Sequence, residues 1–174
     1  MNQQSHLVYL GLGTNLGDRA TQLRNAIKEL GEIGSVQEVS RVYETPSWGY
    51  DDNRKYLNAV CMMKTSLSIV DLHEITLSIE SNLGRIKAKR KEGDPYTARE
   101  IDIDILFYDD QIIETEELVV PHPRLHLRNF VLKPLLDLSV TPIHPKLNKS
   151  ITQLLSELGE ASEIAVLEKW NIVT

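Results

Sequence analysis

One cysteine, Cys61, stands in a chain of 174 residues, so an internal disulfide and a cysteine-based zinc site are both excluded. A single thiol also fits a reducing compartment. Excess positive charge is missing too: 19 Lys and Arg face 25 Asp and Glu, a net charge of -6, which argues against non-specific nucleic-acid binding. No apolar run is long enough for a signal peptide or a membrane span, and Met1 to Ser5 is polar and uncharged. Internal repeats, low-complexity segments and linkers are absent. What remains, 41% hydrophobic and 25% charged residues, is ordinary globular composition. The expectation is one cytoplasmic domain over residues 1–174 acting as a monomer, with a core at about 7–158, a dispensable tail at 159–174, and neither nucleic acid nor membrane as partner.

The stretch Arg99-Glu100-Ile101-Asp102-Ile103-Asp104-Ile105-Leu106-Phe107-Tyr108 makes two demands at once. Ile101, Ile103 and Ile105 alternate with Asp102 and Asp104, the period-2 pattern of a strand with one apolar face. Both aspartates then share the other face, roughly 7 Å apart. Two such carboxylates can pinch one divalent cation or hold two if an oxygen-rich partner such as a triphosphate completes the coordination. The plainer reading is a half-exposed strand with an acidic outer face. Aspartate is depleted in strands, however, and like charges on one face repel, so this pair calls for a counter-charge.

In chain order, Leu7 to Gly13 reads as a short buried strand, turned by the glycine-rich Gly11 to Asp18 into a helix capped by Asp18 and stopped at Gly31. That turn lacks the phosphate-loop lysine and the dinucleotide glycine spacing, so a structural strand-to-helix turn is expected. Val36 to Glu44 is a second strand, leading into a turn-rich segment with Trp48 and Tyr50. Tyr56 to Thr65 is a third, with Tyr56, Asn58, Val60 and Met62 on one face; an asparagine there needs a partner for its amide. Ser68 caps a second helix with Asp71, and Leu72, Ile75, Ile79 and Leu83 form its apolar stripe before Gly84. Glu80 sits in the last turn, where the helix dipole disfavours an anion, so it is either solvated or binds a cation or donor.

From Arg85 to Arg99 the composition turns basic, with Arg85, Lys87, Lys89, Arg90, Lys91 and Arg99. Such runs are usually solvated, but this one leads directly into the acidic strand, and arginines, metals and a polyphosphate would neutralise one another there. Tyr108 to Gln111 reads as a hairpin turn into Ile112-Ile113. Beyond Leu118-Val119-Val120, the segment Pro121 to Phe130 offers His122, Arg124, His126 and Arg128 as cations or donors. Val131 to Leu138 and Ser150 to Leu158 are short helices. The order up to Tyr108, strand, helix, strand, strand, helix, strand, is the split βαβ of ferredoxin-like α+β folds in α/β/α layers, with additional strands and helices C-terminal to it.

Six motifs in register, Gly13 to Asp18, Tyr43-Glu44-Thr45-Pro46, Tyr56-Leu57-Asn58, Glu80 to Arg85, Arg99 to Asp104, and Val120 to Leu125 with Phe130, resemble the 6-hydroxymethyl-7,8-dihydropterin pyrophosphokinases of the folate pathway. The resemblance implies transfer of the terminal pyrophosphoryl group of ATP to the pterin hydroxymethyl group, with release of AMP. It implies that Asp102 and Asp104 bind two Mg2+ ions, and that Arg85 and Arg99 are catalytic clamps on the phosphates. His122, Arg128, Glu80 and Ile105 would complete the ATP side. Tyr56 and Phe130 would sandwich the pterin, whose edge is read by Asn58 and the loop Thr45, Pro46, Ser47 and Trp48. Two departures stand out: Tyr96-Thr97-Ala98-Arg99, behind a longer loop, where the family commonly has Trp-Gly-Pro-Arg, and Leu77 where it often has glutamine. The residues alone leave two alternatives, another magnesium-dependent nucleotidyl- or phosphoryl-transferase and an inert ferredoxin-like nucleotide-binding module.

Overall fold

The computed structural model describes residues 5–47, 53–84, 99–159 and 164–167. Five strands form the main path of one antiparallel sheet: β1 (His6–Thr14), β3 (Val42–Thr45), β4 (Tyr56–Thr65), β5 (Asp102–Tyr108) and β10 (Ala165–Leu167), in the order β10-β3-β4-β1-β5. Strand β2 (Ser35–Val39) pairs with the other half of β4. Helices α1 (Arg19–Glu32) and α2 (Ile69–Asn82) cover one face, and α3 (Asn129–Asp137) and α4 (Ile151–Leu158) the other. Two small hairpins, β6 (Ile113–Glu114) with β7 (Val119–Val120) and β8 (Ile143–His144) with β9 (Lys149–Ser150), stand apart from that sheet. Among the described residues no helix is long and apolar enough to cross a membrane.

The period-2 patterns decide which residues enter which layer. Val8, Leu10 and Leu12 of β1, Ala59, Cys61 and Met63 of β4, and Ile103 and Ile105 of β5 meet Leu23, Ala26 and Leu30 of α1 with Leu72 and Ile79 of α2. On the opposite face Tyr9, Val60, Met62, Leu106 and Phe107 meet Val131, Leu132 and Leu135 of α3 with Ile151 and Leu154 of α4. The register of β1 with β5 slips by one residue, so that Leu106 is extra. This bulge turns both Leu106 and Phe107 towards α3, and closes the face on which Asp102 and Asp104 lie.

Several elements differ from their sequence expectations. The expected strand Val36 to Glu44 breaks at Ser40-Arg41, because the Ser40 hydroxyl replaces a backbone acceptor: Val60 donates its N–H to Ser40 Oγ at 2.8 Å, and Ser40 donates its own to the Val60 carbonyl at 2.9 Å. Strand β1 runs on to Thr14, so Gly11 and Gly13 lie inside the strand rather than in the turn. Helix α1 passes through Gly31; the glycine its exit requires is Gly34, where a Cβ would lie 2.5 Å from the Lys64 carbonyl oxygen. Tyr108 to Gln111 does turn the chain, but β6 pairs with β7 and not with β5. The segment after Gly159 is no mere tail: Ala165–Leu167 pairs with β3 as an edge strand, and Leu167 packs on the core.

The helix caps follow the sequence. Asp18 accepts the Thr21 N–H and Ser68 that of Asp71, whereas Ser150, expected as the first residue of its helix, is the cap and forms a capping box with Gln153.

Candidate active site

Asp102 and Asp104 project from the α3 face of β5, opposite the buried isoleucines. The counter-charges that such a pair demands are two buried arginines. Arg99 pairs with Asp102 Oδ2 through Nη1, and Arg128 Nη1 approaches Asp104 Oδ2 at 3.5 Å. Burial opposes the charge on Arg99, but Asp102 and Asp104 outweigh it and hold the guanidinium pKa above its ordinary value.

Local structure positions each arginine. Arg99 lies three residues before Asp102, whose pair with Gly13 is the last of β1 with β5. There it donates its backbone N–H to Asn15 Oδ1 at 2.7 Å, and its carbonyl accepts the Asn15 N–H at 3.1 Å. Arg128 is the N-cap residue of α3, and its guanidinium carbon lies 5.7 Å from the centre of the Phe130 ring.

His122 returns to the same point because its backbone N–H donates to the Leu106 carbonyl at 3.1 Å. Its Nδ1 accepts the Arg124 N–H, which assigns the proton to Nε2, 3.7 Å from Asp104 Oδ2. Burial, aided by Arg128, pushes His122 down to about 4. At neutral pH it is therefore a neutral donor, one of the two roles, cation or donor, that the sequence left open.

Glu80 is buried at the end of α2, with Oε1 accepting the Ile103 N–H at 2.7 Å. Of the two readings open for it, the bound donor is the one realised.

The charged cluster divides two hollows. On one side an apolar slot is lined by Gly11, Gly13, Thr45, Pro46, Tyr56, Asn58 and Phe130; on the other a polar cleft is lined by His73, Leu77, Glu80, Ile103, Ile105, His122 and residues 116–119. Arg99, Asp102, Asp104 and Arg128 border both. In the slot, Asn58 donates Nδ2–H to Thr45 Oγ1 at 2.9 Å, which gives the strand asparagine its partner and fixes which way its amide faces. Ser47 follows Pro46 in the chain, half-buried. Trp48, Arg85 and Tyr96-Thr97-Ala98 lie outside the described residues. Among those described, no three histidine, cysteine or carboxylate side chains gather as a preformed metal cage.

Sequence reasoning missed Asn15 and the two glycines as parts of the site. A usable signal existed for the glycines, since positions 11 and 13 fall on one strand face, the face of Tyr9.

Two carboxylates faced by buried arginines, between a polar cleft and an apolar slot, are the constellation of a phosphoryl-transfer enzyme. The family model for 7,8-dihydro-6-hydroxymethylpterin-pyrophosphokinase (HPPK) matches residues 9–140. The 2-amino-4-hydroxy-6-hydroxymethyldihydropteridine pyrophosphokinase of Aquifex aeolicus is 41% identical over 150 residues, 86% of this chain and 91% of that one. Its namesake from Bacillus subtilis is 42% identical over 136 residues, 77% and 78% of the two chains. The Plasmodium falciparum HPPK-DHPS structure with pteroate superposes with a TM-score of 0.68 at 16% identity, covering 90% of this chain and 45% of that longer one, a likeness of fold. The chain belongs to the 7,8-dihydro-6-hydroxymethylpterin-pyrophosphokinase family. It is an enzyme, a pyrophosphokinase.

Proposed function

We propose that the protein transfers the terminal pyrophosphoryl group of ATP to the hydroxymethyl group of 6-hydroxymethyl-7,8-dihydropterin and releases AMP. The observation that carries this reading is the cluster of Arg99, Asp102, Asp104 and Arg128 on the shared border of the two hollows. A polar cleft suits a nucleotide and an apolar slot suits a flat heterocycle, so the reacting groups would meet at the charged border.

Asp102 and Asp104 fit magnesium by donor chemistry: both are hard oxygen ligands on one strand face, and two carboxylates leave most positions to ATP phosphates and water, the arrangement this ion favours. These two side chains would hold two such ions. When bound, they supply Lewis-acid neutralisation of the phosphates and lower the pKa of a coordinated hydroxyl.

In the reaction, the acceptor's hydroxyl oxygen forms a bond to the β-phosphorus. The bond from that phosphorus to the α,β-bridging oxygen breaks, AMP leaves with the bridging oxygen, and the hydroxyl proton passes to solvent. Arg99 and Arg128, already paired against the aspartates, carry the opposite charge that a polyphosphate requires. His122 presents Nε2–H as a neutral donor on the cleft side, beside Glu80 and Ile105. Arg85 would clamp the phosphates with Arg99, and Trp48 would belong to the loop that reads the pterin edge; both lie outside the described residues. Tyr56 and Phe130 hold the ring, and Asn58 with the loop of Thr45, Pro46 and Ser47 reads its edge. The described groups come from one chain, so a monomer suffices, and the lone buried thiol Cys61 accords with a reducing cytoplasm.

We read the core as ferredoxin-like, with β2 and β3 acting as one bent strand. Supporting this, α1 connects β1 to that strand, α2 connects β4 to β5, and the all-antiparallel order β3-β4-β1-β5 is that of a split βαβ.

Phosphorus NMR of the protein with ATP, magnesium and the hydroxymethyl dihydropterin tests the function. AMP with a pterin diphosphate is the expected outcome; ADP, or no turnover by folded protein, overturns it.

A further inference from the structure

Of the motif Tyr43-Glu44-Thr45-Pro46, the proposed function employs Thr45 and Pro46 and leaves Tyr43 without a task. Tyr43 and Thr45 stand two apart on β3 and so share a face, the one turned to α3. Thr45 borders the slot, and the Tyr43 hydroxyl donates to Asp137 Oδ2 at 3.0 Å. Arg41, exposed at the break before β3, reaches the same carboxylate: its Nε donates to Oδ1 at 3.0 Å and its backbone N–H to Oδ2 at 3.1 Å. Burial, helped by Asp137, pushes Tyr43 up to about 12, so the phenol keeps its proton and donates across the neutral range.

Asp137 is an odd residue for its own helix. It closes α3, where the dipole disfavours an anion, and the last turn holds no basic residue to offset it. Its side chain is nonetheless only 10% exposed. A carboxylate buried against local preference answers to groups elsewhere, here a tyrosine and an arginine from the other side of the contact.

Phe130 precedes Asp137 by seven residues, two turns of helix, so both lie on one stripe of α3 about 10 Å apart. That stripe faces β3, where Asp137 meets Tyr43 and Phe130 forms the slot with Thr45. Strand and helix therefore join at a clasp and open into the slot. Pro134 lies on the same stripe and locks a backbone angle between the two, so both ends turn together. Val131, Leu132 and Leu135 press α3 onto the sheet, but apolar burial is non-directional and does not set the tilt of the helix. A tilt of about 5° over that length carries the Phe130 ring by about 1 Å. Misplacement on that scale costs up to about 100-fold in rate.

Resting on the proposed acceptor, we propose that Asp137, held by Tyr43 and Arg41, is a positioning residue for the reaction: it sets the tilt of α3 and thereby the place of the Phe130 ring against the acceptor. Arg128, at the same end of α3, is spared, because its long side chain can follow Asp104 while a ring on two torsions moves with its backbone. Beyond the helix, Glu38 Oε2 accepts the Ser139 N–H at 2.9 Å, and Tyr9 donates its hydroxyl to the Val140 carbonyl at 3.1 Å. These ties keep the chain in place when Asp137 is changed.

The test is Asp137→Ala in the full chain, assayed well below its melting temperature for kcat/KM with the pterin and for affinity to a non-hydrolysable ATP analogue. The expected result is a loss of at least fivefold in kcat/KM, with the analogue bound within twofold of the parent. In a Phe130→Ala background the same change should cost less than twofold, because the ring it positions is gone. A loss in the parent below fivefold overturns the proposal. So does analogue binding weakened beyond twofold, or a loss of twofold or more in the Phe130→Ala background, which a merely structural clasp would give.

Should Asp137→Ala not fold, Tyr43→Phe decides, since it removes one oxygen and leaves the buried ring. It should lower kcat/KM for the pterin at least threefold, and only where Phe130 is present; a smaller or Phe130-independent loss overturns the clasp. Failure of the underlying function looks different, because unaltered protein would then form no AMP. Normal AMP formation with indifferent Asp137→Ala and Tyr43→Phe defeats the clasp alone.

Discussion

Glu80 Oε1 accepts the backbone N–H of Ile103, the residue between the two site aspartates, at 2.7 Å. Strand β5 ends the main sheet, and on its open side this N–H is met by a helix side chain instead of another strand. The carboxylate therefore fixes the backbone from which Asp102 and Asp104 project. Glu80→Ala should lower stability by about 1–3 kcal/mol, the cost of an unsatisfied buried donor. Glu80→Gln keeps an acceptor and should recover most of that loss in urea unfolding. Equal stability of Ala and Gln variants would remove this role.

Asn15 should act on activity through Arg99, whose backbone it holds. With its side-chain acceptor gone, the Arg99 backbone loses one of two hydrogen bonds to this residue, and displacement of a charged group by about 1 Å costs up to 100-fold in rate. Asn15→Ala should lower kcat about tenfold or more. Added to Arg99→Ala it should cost little further, because the group it positions is already absent. Additive losses in the double variant would show that Asn15 works elsewhere.

Asp102→Asn and Asp104→Asn test the carboxylate pair. Each removes a charge at the border of cleft and slot, and the expected loss is roughly 10³-fold or more in kcat, about 4 kcal/mol of transition-state stabilisation. Magnesium titration should show weakened binding in both variants, and chelation should abolish turnover of the parent. Undiminished turnover in Asp102→Asn would exclude metal-bound phosphates at this strand.

Cys61 carries a pH prediction. Burial pushes its thiol up to about 12, whereas an unfolded thiol titrates near 8.5. Below about pH 8.5 both states keep the proton, and above it the unfolded chain loses the proton first, so stability falls as pH rises towards 12. Between pH 7 and 10 the parent should lose about 2 kcal/mol more than Cys61→Ala in urea unfolding. The native thiol should also resist alkylation at pH 8.

Removing residues 160–174 should destabilise the protein by about 1–3 kcal/mol, since β10 covers the edge of β3 and Leu167 packs against the core. Strand β3 ends at Thr45, the partner of Asn58, so the same truncation should raise the KM for the pterin more than that for ATP. An unchanged melting temperature would mean that the edge needs no cover.

Local sequence determined a great deal of this molecule. The alternation along Tyr56–Thr65 sorted Cys61 and Met63 from Val60 and Met62 onto the layers where they lie, because a strand's side chains have no other period. Capping chemistry placed Asp18 and Ser68 at their helix starts, since the groups that cap are three residues from the groups they serve. The same alternation put Asp102 and Asp104 on one face and required a counter-charge.

Arg99, three residues from Asp102, was within local reach, but the charge that answers Asp104 was decided only by tertiary structure. Arg128 is 24 residues from Asp104, and the Glu80–Ile103 bond spans 23, separations over which a chain has no local preference. The break at Ser40 and the pairing of Ala165–Leu167 with β3 depend likewise on strands meeting at a register. Register arises from packing two faces of one sheet at once, and no single segment carries it.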